Sequence, residues 1–134
     1  MKGPVFLNSD NVLKLQRHQI DVYGGEHGVR DFGLLESALA MPQAMFDGKF
    51  LHDDIYMKAA AYLFHLVKNH PFIDGNKRAG AVTAYVFLSI NGIRLTASPD
   101  DFAEMVLAVA ESRLDKQEIA EFFRQNTETM NLSL

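Results

Sequence analysis

Two long apolar runs dominate the chain, with a short polar segment between them. The first, IYMKAAAYLFHLVKN, follows Asp53 and Asp54; the second, AVTAYVFLSI, ends at Ile90 or Asn91. Each is apolar on nearly every side, which predicts two helices buried on nearly every side. Upstream, Val12, Leu15, Gln19 and Tyr23 form one stripe with Leu13 and Ile20 beside it, a helix that Ser9 can cap and Gly24-Gly25 ends. Phe32, Leu35 and Leu39 follow at helical spacing until Pro42 stops them. Residues 42–52 are irregular, and Asp47-Gly48 marks a turn, so a short flap hairpin is expected there. Downstream, Ile93 to Ala97 reads as extended. Ser98-Pro99-Asp100-Asp101 starts a fifth helix with a core face of Phe102, Met105, Val106 and Val109. Asp115 with Glu118 resembles a capping box for a last helix facing inward through Ile119, Phe122 and Phe123. The pattern predicts an all-α compact bundle of about six helices. It forms one domain over 1–126, with residues 127–134 as a flexible tail that lacks periodicity.

Composition narrows the class. A chain of 134 residues with 48% hydrophobic and 22% charged residues is an ordinary single globular domain. The formal charge of −4 argues against direct DNA binding, which needs concentrated Lys and Arg. There is no cysteine, which excludes disulfides, thiolate metal sites and a cysteine nucleophile, and suits the cytoplasm. The start, MKGPVFLNSDNV, has no apolar run of signal-peptide kind, and no stretch reaches the roughly 20 apolar residues a membrane span requires. The expectation is a soluble cytoplasmic protein without a membrane partner.

The segment between the apolar runs is NHPFIDGNKRAG, residues 69–80. Flanked by the most buried helices, it is held rigidly, as a precise site requires. Phe72 and Ile73 are expected to dip into the core, with Phe72 the loop anchor, while Gly75 permits a positive φ. Asn76, Lys77 and Arg78 fall in the first turn of the next helix, whose free N–H groups and positive dipole end attract anions. Cations placed there oppose the dipole, and a bound polyphosphate would account for them. Asp74 beside such a site suits Mg²⁺, and a His70 imidazole suits a general base. Each residue also has an ordinary reading. A histidine at a helix end is usually a cap, an Asp-Gly pair usually a turn, and Lys-Arg at a helix start usually solvated. From the residues alone both readings stand. His65, within an apolar helix, reads as a core residue, and His18, His27 and His52 have no ligand-like spacing.

The same residues resemble the signature of the Fic/Doc family, HPFx[D/E]GN followed by Gly or Lys and then Arg, matched by His70, Pro71, Phe72, Asp74, Gly75, Asn76 and Arg78. The stretch YGGEHGVRDFGLLESALAMPQAMFDG is similar to the N-terminal part of the Doc (death-on-curing) branch. The resemblance covers about residues 5–125. It implies the Fic/Doc helical fold and transfer from a nucleotide to a protein hydroxyl. Most Fic members have glycine at the Lys77 position and transfer AMP. Doc-like toxins have lysine, and transfer the γ-phosphoryl of ATP to a threonine of elongation factor Tu, arresting translation. On this resemblance His70 is the catalytic base, Asp74 holds Mg²⁺, and Gly75, Asn76, Lys77, Arg78 and Lys68 contact nucleotide phosphates. Residues 43–50 correspond to a target-docking flap, with Met45, Phe46 and Phe50 as its contacts; a core role for the two phenylalanines is the competing reading. The inhibitory pattern [S/T]xxxE[G/N] of many Fic proteins is absent from the sequence. A Doc-like toxin is instead held in trans by a Phd-like antitoxin, and Phe102, Met105 and Phe123 either line its groove or belong to the core. Gly75 stands where the best-known Doc sequence has alanine, which keeps AMP transfer as the alternative. A non-catalytic anion-binding partner module is the second alternative. A metal hydrolase would need more ligands than this loop supplies.

Overall fold

The structure is a computed structural model, and residues 3–130 are described. Helices α1 (Ser9–Tyr23) and α2 (Phe32–Ala40) lead through a 3-10 turn (Met41–Gln43) into a hairpin of β1 (Met45–Phe46) and β2 (Lys49–Phe50). Then come α3 (Ile55–Asn69), α4 (Asn76–Ile90), β3 (Ile93–Leu95), α5 (Pro99–Ala110), α6 (Lys116–Gln125) and β4 (Thr127–Thr129). Among the described residues the expected six-helix, all-α arrangement is present, with two small antiparallel pairs, β1–β2 and β3–β4.

Local chemistry sets most boundaries. Asp31, Asp54, Ser98 and Asp115 each accept a backbone N–H at the start of their helix. Asp115 and Glu118 complete the expected capping box. The first helix differs from expectation: Asn8, not Ser9, is its cap, reciprocating with Asn11. Its inward stripe is Val12, Gln16 and Ile20, spaced by four, whereas Tyr23 is exposed beyond the last packed turn.

Helix α3 lies at the centre, against α2, α4, α5 and α6. Tyr62, Leu63, Leu66 and Val67 are fully or almost fully buried there, as are Phe87 and Leu88 of α4. The Tyr62 ring lies 4.9 Å from that of Phe87. Its hydroxyl accepts the Leu7 N–H at 2.8 Å and donates to the Leu7 carbonyl at 3.2 Å, pinning the N-terminal segment. Burial pushes this phenol's pKa up to about 12, so it remains a neutral donor. The expectation of all-round burial for α4 fails on one side: Tyr85 and Ile90 face solvent. Close approach of α3 and α4 depends on Gly80. A Cβ there would lie 2.8 Å from Val67 Cγ2 and 3.2 Å from the Leu63 carbonyl oxygen.

The tail enters the fold earlier than expected. Thr127, Glu128 and Thr129 pair with Leu95, Arg94 and Ile93, so these three residues are not the flexible tail expected of them; residues 131–134 lie outside those described. Three residues are too few for a periodic signal, and β3 supplies the partner. Phe102, Met105 and Phe123 resolve to the core: Met105 and Phe123 are buried, and half-buried Phe102 packs against Phe122 and Phe123.

A polar network joins α3 to α6. Lys116 Nζ lies 3.1 Å from Nε2 of both His52 and His65. As an ammonium it donates to both rings, which places their protons on Nδ1. His52 Nδ1 lies toward the Met41 backbone without a well-formed hydrogen bond. Burial lowers the pKa of both imidazoles, and Lys116 lowers it further, taking His65 to about 4. Buried Lys58, bonded to the His52 and Asp53 carbonyls, adds to the effect at His52.

Two predictions follow from the packing. Gly80→Val is expected to cost about 1–3 kcal/mol by overpacking, since its gain in helix propensity is only a few tenths; denaturant midpoints measure this. For His65, the folded state binds fewer protons than the unfolded state between pH 6.5 and about 4, so stability falls as pH drops through that window. His65→Gln removes this titration and should flatten the stability-against-pH curve between those values. An unchanged slope would contradict the assignment.

Candidate functional site

The loop between α3 and α4 reverses the chain in six residues, 70–75, using two left-handed positions. His70 has φ 49° and ψ 54° at the end of α3, and Gly75 has φ 72° immediately before α4. Glycine takes this conformation freely, but for histidine it costs about 1–2 kcal/mol. Pro71 and Phe72 are buried, and Phe72 turns into the core as expected, at 1% exposure. Ile73 does not follow it inward and is 51% exposed, because the Val29–Phe72 bridge turns the following side chain to the other face.

Asn76 ties the loop to itself. Its Oδ1 accepts the Phe72 N–H at 2.9 Å and its Nδ2 donates to the Phe72 carbonyl at 3.1 Å. This side chain, expected to contact phosphate, is thus already committed in both its polar groups to the loop backbone.

Asp74 is held from three directions. Its Oδ1 accepts the Gly75 N–H at 2.8 Å and its Oδ2 the Glu26 N–H at 3.1 Å, while buried Gln16 donates Nε2 to its carbonyl at 3.2 Å. The Glu26 amide, then the Gly75 amide, with Arg78 adding, hold its carboxyl below the usual carboxylate range despite desolvation. A carboxylate offers about four lone-pair positions, so each oxygen retains one for a further partner.

Arg78, half-buried, reaches back to α1 and donates Nη1 to the Gln19 carbonyl at 3.3 Å. Lys77 is exposed. His70, Ile73, Asp74, Gly75, Asn76, Lys77 and Arg78, with Ala110 of α5, line one cleft of about 410 Å³. The free amides of the α4 N-terminus and two cations thus face one volume together with His70 and Asp74, an arrangement suited to a phosphate chain. Lys68 is not part of this lining; its ammonium donates to Ser112 Oγ in the turn after α5.

The expected flap hairpin exists. Met45 pairs with Phe50 and Phe46 with Lys49 across the Asp47-Gly48 turn, both of whose φ values are positive. Met45 and Phe46 are 58% and 77% exposed. Phe50 is different: its ring packs 5.8 Å from Phe6 and under Lys58 Nζ at 4.1 Å, so it roots the hairpin on the body.

Sequence reading overlooked the segment 25–31 that straps the loop. Ile73 N–H donates to the Gly28 carbonyl at 3.1 Å, and the Arg30 and Asp31 N–H groups both donate to the Pro71 carbonyl, at 2.7 and 3.0 Å. Arg30 adds side-chain bonds to the His70 and Asn69 carbonyls. Gly25 approaches so closely that a Cβ would sit 2.7 Å from Asp74 Oδ2. Only the glycines of GGEHGVRD hinted at this.

The Fic/DOC family profile matches residues 6–88. "Toxin Doc" of Mycolicibacterium smegmatis is 47% identical over 78 residues, 58% of this chain and 60% of that protein, so the match spans three fifths of that relative. "Protein kinase doc" of Escherichia phage P1 is 27% identical over 119 residues, 89% of this chain and 93% of that one.

Asn76→Ala deletes two hydrogen bonds of the loop and leaves the Phe72 amide unpaired. It should cost about 1–3 kcal/mol and speed amide exchange at residues 72–75 more than in the helices; hydrogen exchange read by mass spectrometry or NMR checks the localisation.

Proposed function

The chain belongs to the Fic/DOC family, and from that premise we propose that it is a Doc-like toxin, a kinase that transfers the γ-phosphoryl of ATP to a protein hydroxyl. The observation that carries this reading is the shared cleft of His70, Asp74, Lys77, Arg78 and the α4 N-terminus. The name of the phage P1 relative, which aligns over most of both chains, favours a kinase. The proposed acceptor is a threonine of elongation factor Tu, with arrest of translation as the outcome.

His70 takes the proton of the acceptor hydroxyl while its oxygen bonds to the γ-phosphorus; the bond from that phosphorus to the bridging oxygen breaks, and ADP leaves. Arg78 and Lys77, with the free amides of α4, hold the phosphates and offset their charge. Arg78 is pre-oriented by the Gln19 carbonyl, so little ordering remains on binding. Asp74 fits Mg²⁺, being ionised with one lone pair left on each oxygen, and the ion would neutralise phosphate charge there. Lys77 fills the space that glycine leaves open in AMP-transferring members, which favours a nucleotide bound with its γ-phosphate toward His70. Met45 and Phe46 offer an exposed hairpin to the target. A Phd-like antitoxin would restrain the enzyme in trans.

Gly75 favours a second reading, AMP transfer, because it keeps an open backbone beside Arg78. Parallel reactions with ATP labelled on the α or the γ phosphate, Mg²⁺ and elongation factor Tu separate the two. The expected result is γ label only, lost by at least about 100-fold in a folded His70→Ala variant. Label from α would establish adenylyl transfer instead. Growth arrest undiminished by His70→Ala would overturn both.

A further inference from the structure

His70 combines two features that ordinarily exclude each other. It is a non-glycine residue in the left-handed region, and it precedes proline, where the extended region is preferred. A strained backbone at one residue persists only when its surroundings over-determine it, and it points to a use for the strain.

The over-determination comes from Arg30. Its Nε donates to the His70 carbonyl at 2.7 Å and its Nη2 to the Asn69 carbonyl at 2.9 Å. These carbonyls belong to the two peptide planes that flank the His70 Cα. The plane before Cα defines φ and the plane after it defines ψ, so one rigid guanidinium holds both torsions. The cation also sits at the negative end of α3, where its charge is favourable. The backbone N–H groups of Arg30 and Asp31 fix the next carbonyl, that of Pro71. Three consecutive carbonyls are thereby held by two adjacent residues of the strap. Among the described residues no other side chain donates to the Asn69 or His70 carbonyl, since Lys68 is engaged with Ser112. Arg30 is not part of the cleft lining.

We propose that Arg30 is the positioning residue of the site: it clamps both peptide planes of His70 in the left-handed conformation and so sets the direction in which the imidazole enters the cleft. The inference rests on the transferase reading for its kinetic consequence and on geometry alone for its structural one. A simple helix cap would need charge near the carbonyls and no fork. A clamp needs two donors in fixed geometry, which lysine lacks.

The full-length wild type, Arg30→Ala and Arg30→Lys are compared, each well below its melting temperature. NMR reads the His70 ¹³Cα and ¹³Cβ shifts and the amide–α-proton coupling. Steady-state transfer to the protein acceptor reads kcat and KM for Mg·ATP. In Arg30→Ala the His70 signals should move to extended-backbone values. Its kcat should fall about 100-fold, as displacement of a reacting group by about 1 Å produces, with KM within about two-fold of wild type. Arg30→Lys should recover only about ten-fold of the loss if the fork matters. Left-handed His70 signals retained in Arg30→Ala overturn the proposal, as does an unchanged kcat or full rescue by lysine. If the wild type transfers nothing, the transferase reading falls. The His70 signals then decide the Arg30 clamp alone: left-handed values kept in Arg30→Ala overturn it, and extended values uphold it.

Discussion

The close packing of α3 on α4 is the constraint on which the molecule depends. Because Gly80 lets the two backbones approach at one end, the chain must leave α3 and enter α4 within a very short span. A tight reversal of this kind cannot satisfy its backbone groups by regular structure. Asn76 satisfies one residue from inside the loop, and the strap 25–31 satisfies others from outside. The site is what remains of that solution: a helix end whose amides are free, flanked by a carboxylate that backbone amides hold by both oxygens and a histidine whose own backbone the strap fixes.

Rigidity and charge are distributed accordingly. Groups suited to meet substrate are exposed or half-exposed, while those that hold them are committed to carbonyls and amides. Arg78 belongs to both sets, because one nitrogen is spent on Gln19 and others remain. The His52–Lys116–His65 network lies apart from this cleft and serves the docking of α6 on α3.

Features governed by neighbours in sequence were legible from sequence: the start of α3 at the Asp53-Asp54 pair, the caps Ser98 and Asp115, the Asp47-Gly48 hairpin turn, and the grouping of His70, Asp74 and the α4 start. Features governed by distant partners were not. The choice of Asn8 over Ser9 depended on the reciprocal contact of Asn11, and β4 on the presence of β3. Asn76 has the same spacing whether it binds phosphate or Phe72, so its commitment to the loop was invisible. Phe46 and Phe50 have the same chemistry and opposite fates because only one reaches Phe6. Arg30 carried no signal, being one cation in a glycine-rich loop with its targets 39 and 40 residues away.

The corner at Asn91-Gly92 has a topological consequence. Asn91 accepts the Val5 N–H and donates to its carbonyl, while Met130 donates its N–H to the Gly92 carbonyl. The two ends of the described fold therefore meet at adjacent residues, and the path of the chain is nearly a closed ring. The order in which its elements are synthesised is then separable from the shape they make. A circular permutant that joins these ends and opens the ring at the exposed turn after α5 would leave the α3–loop–α4 hairpin continuous.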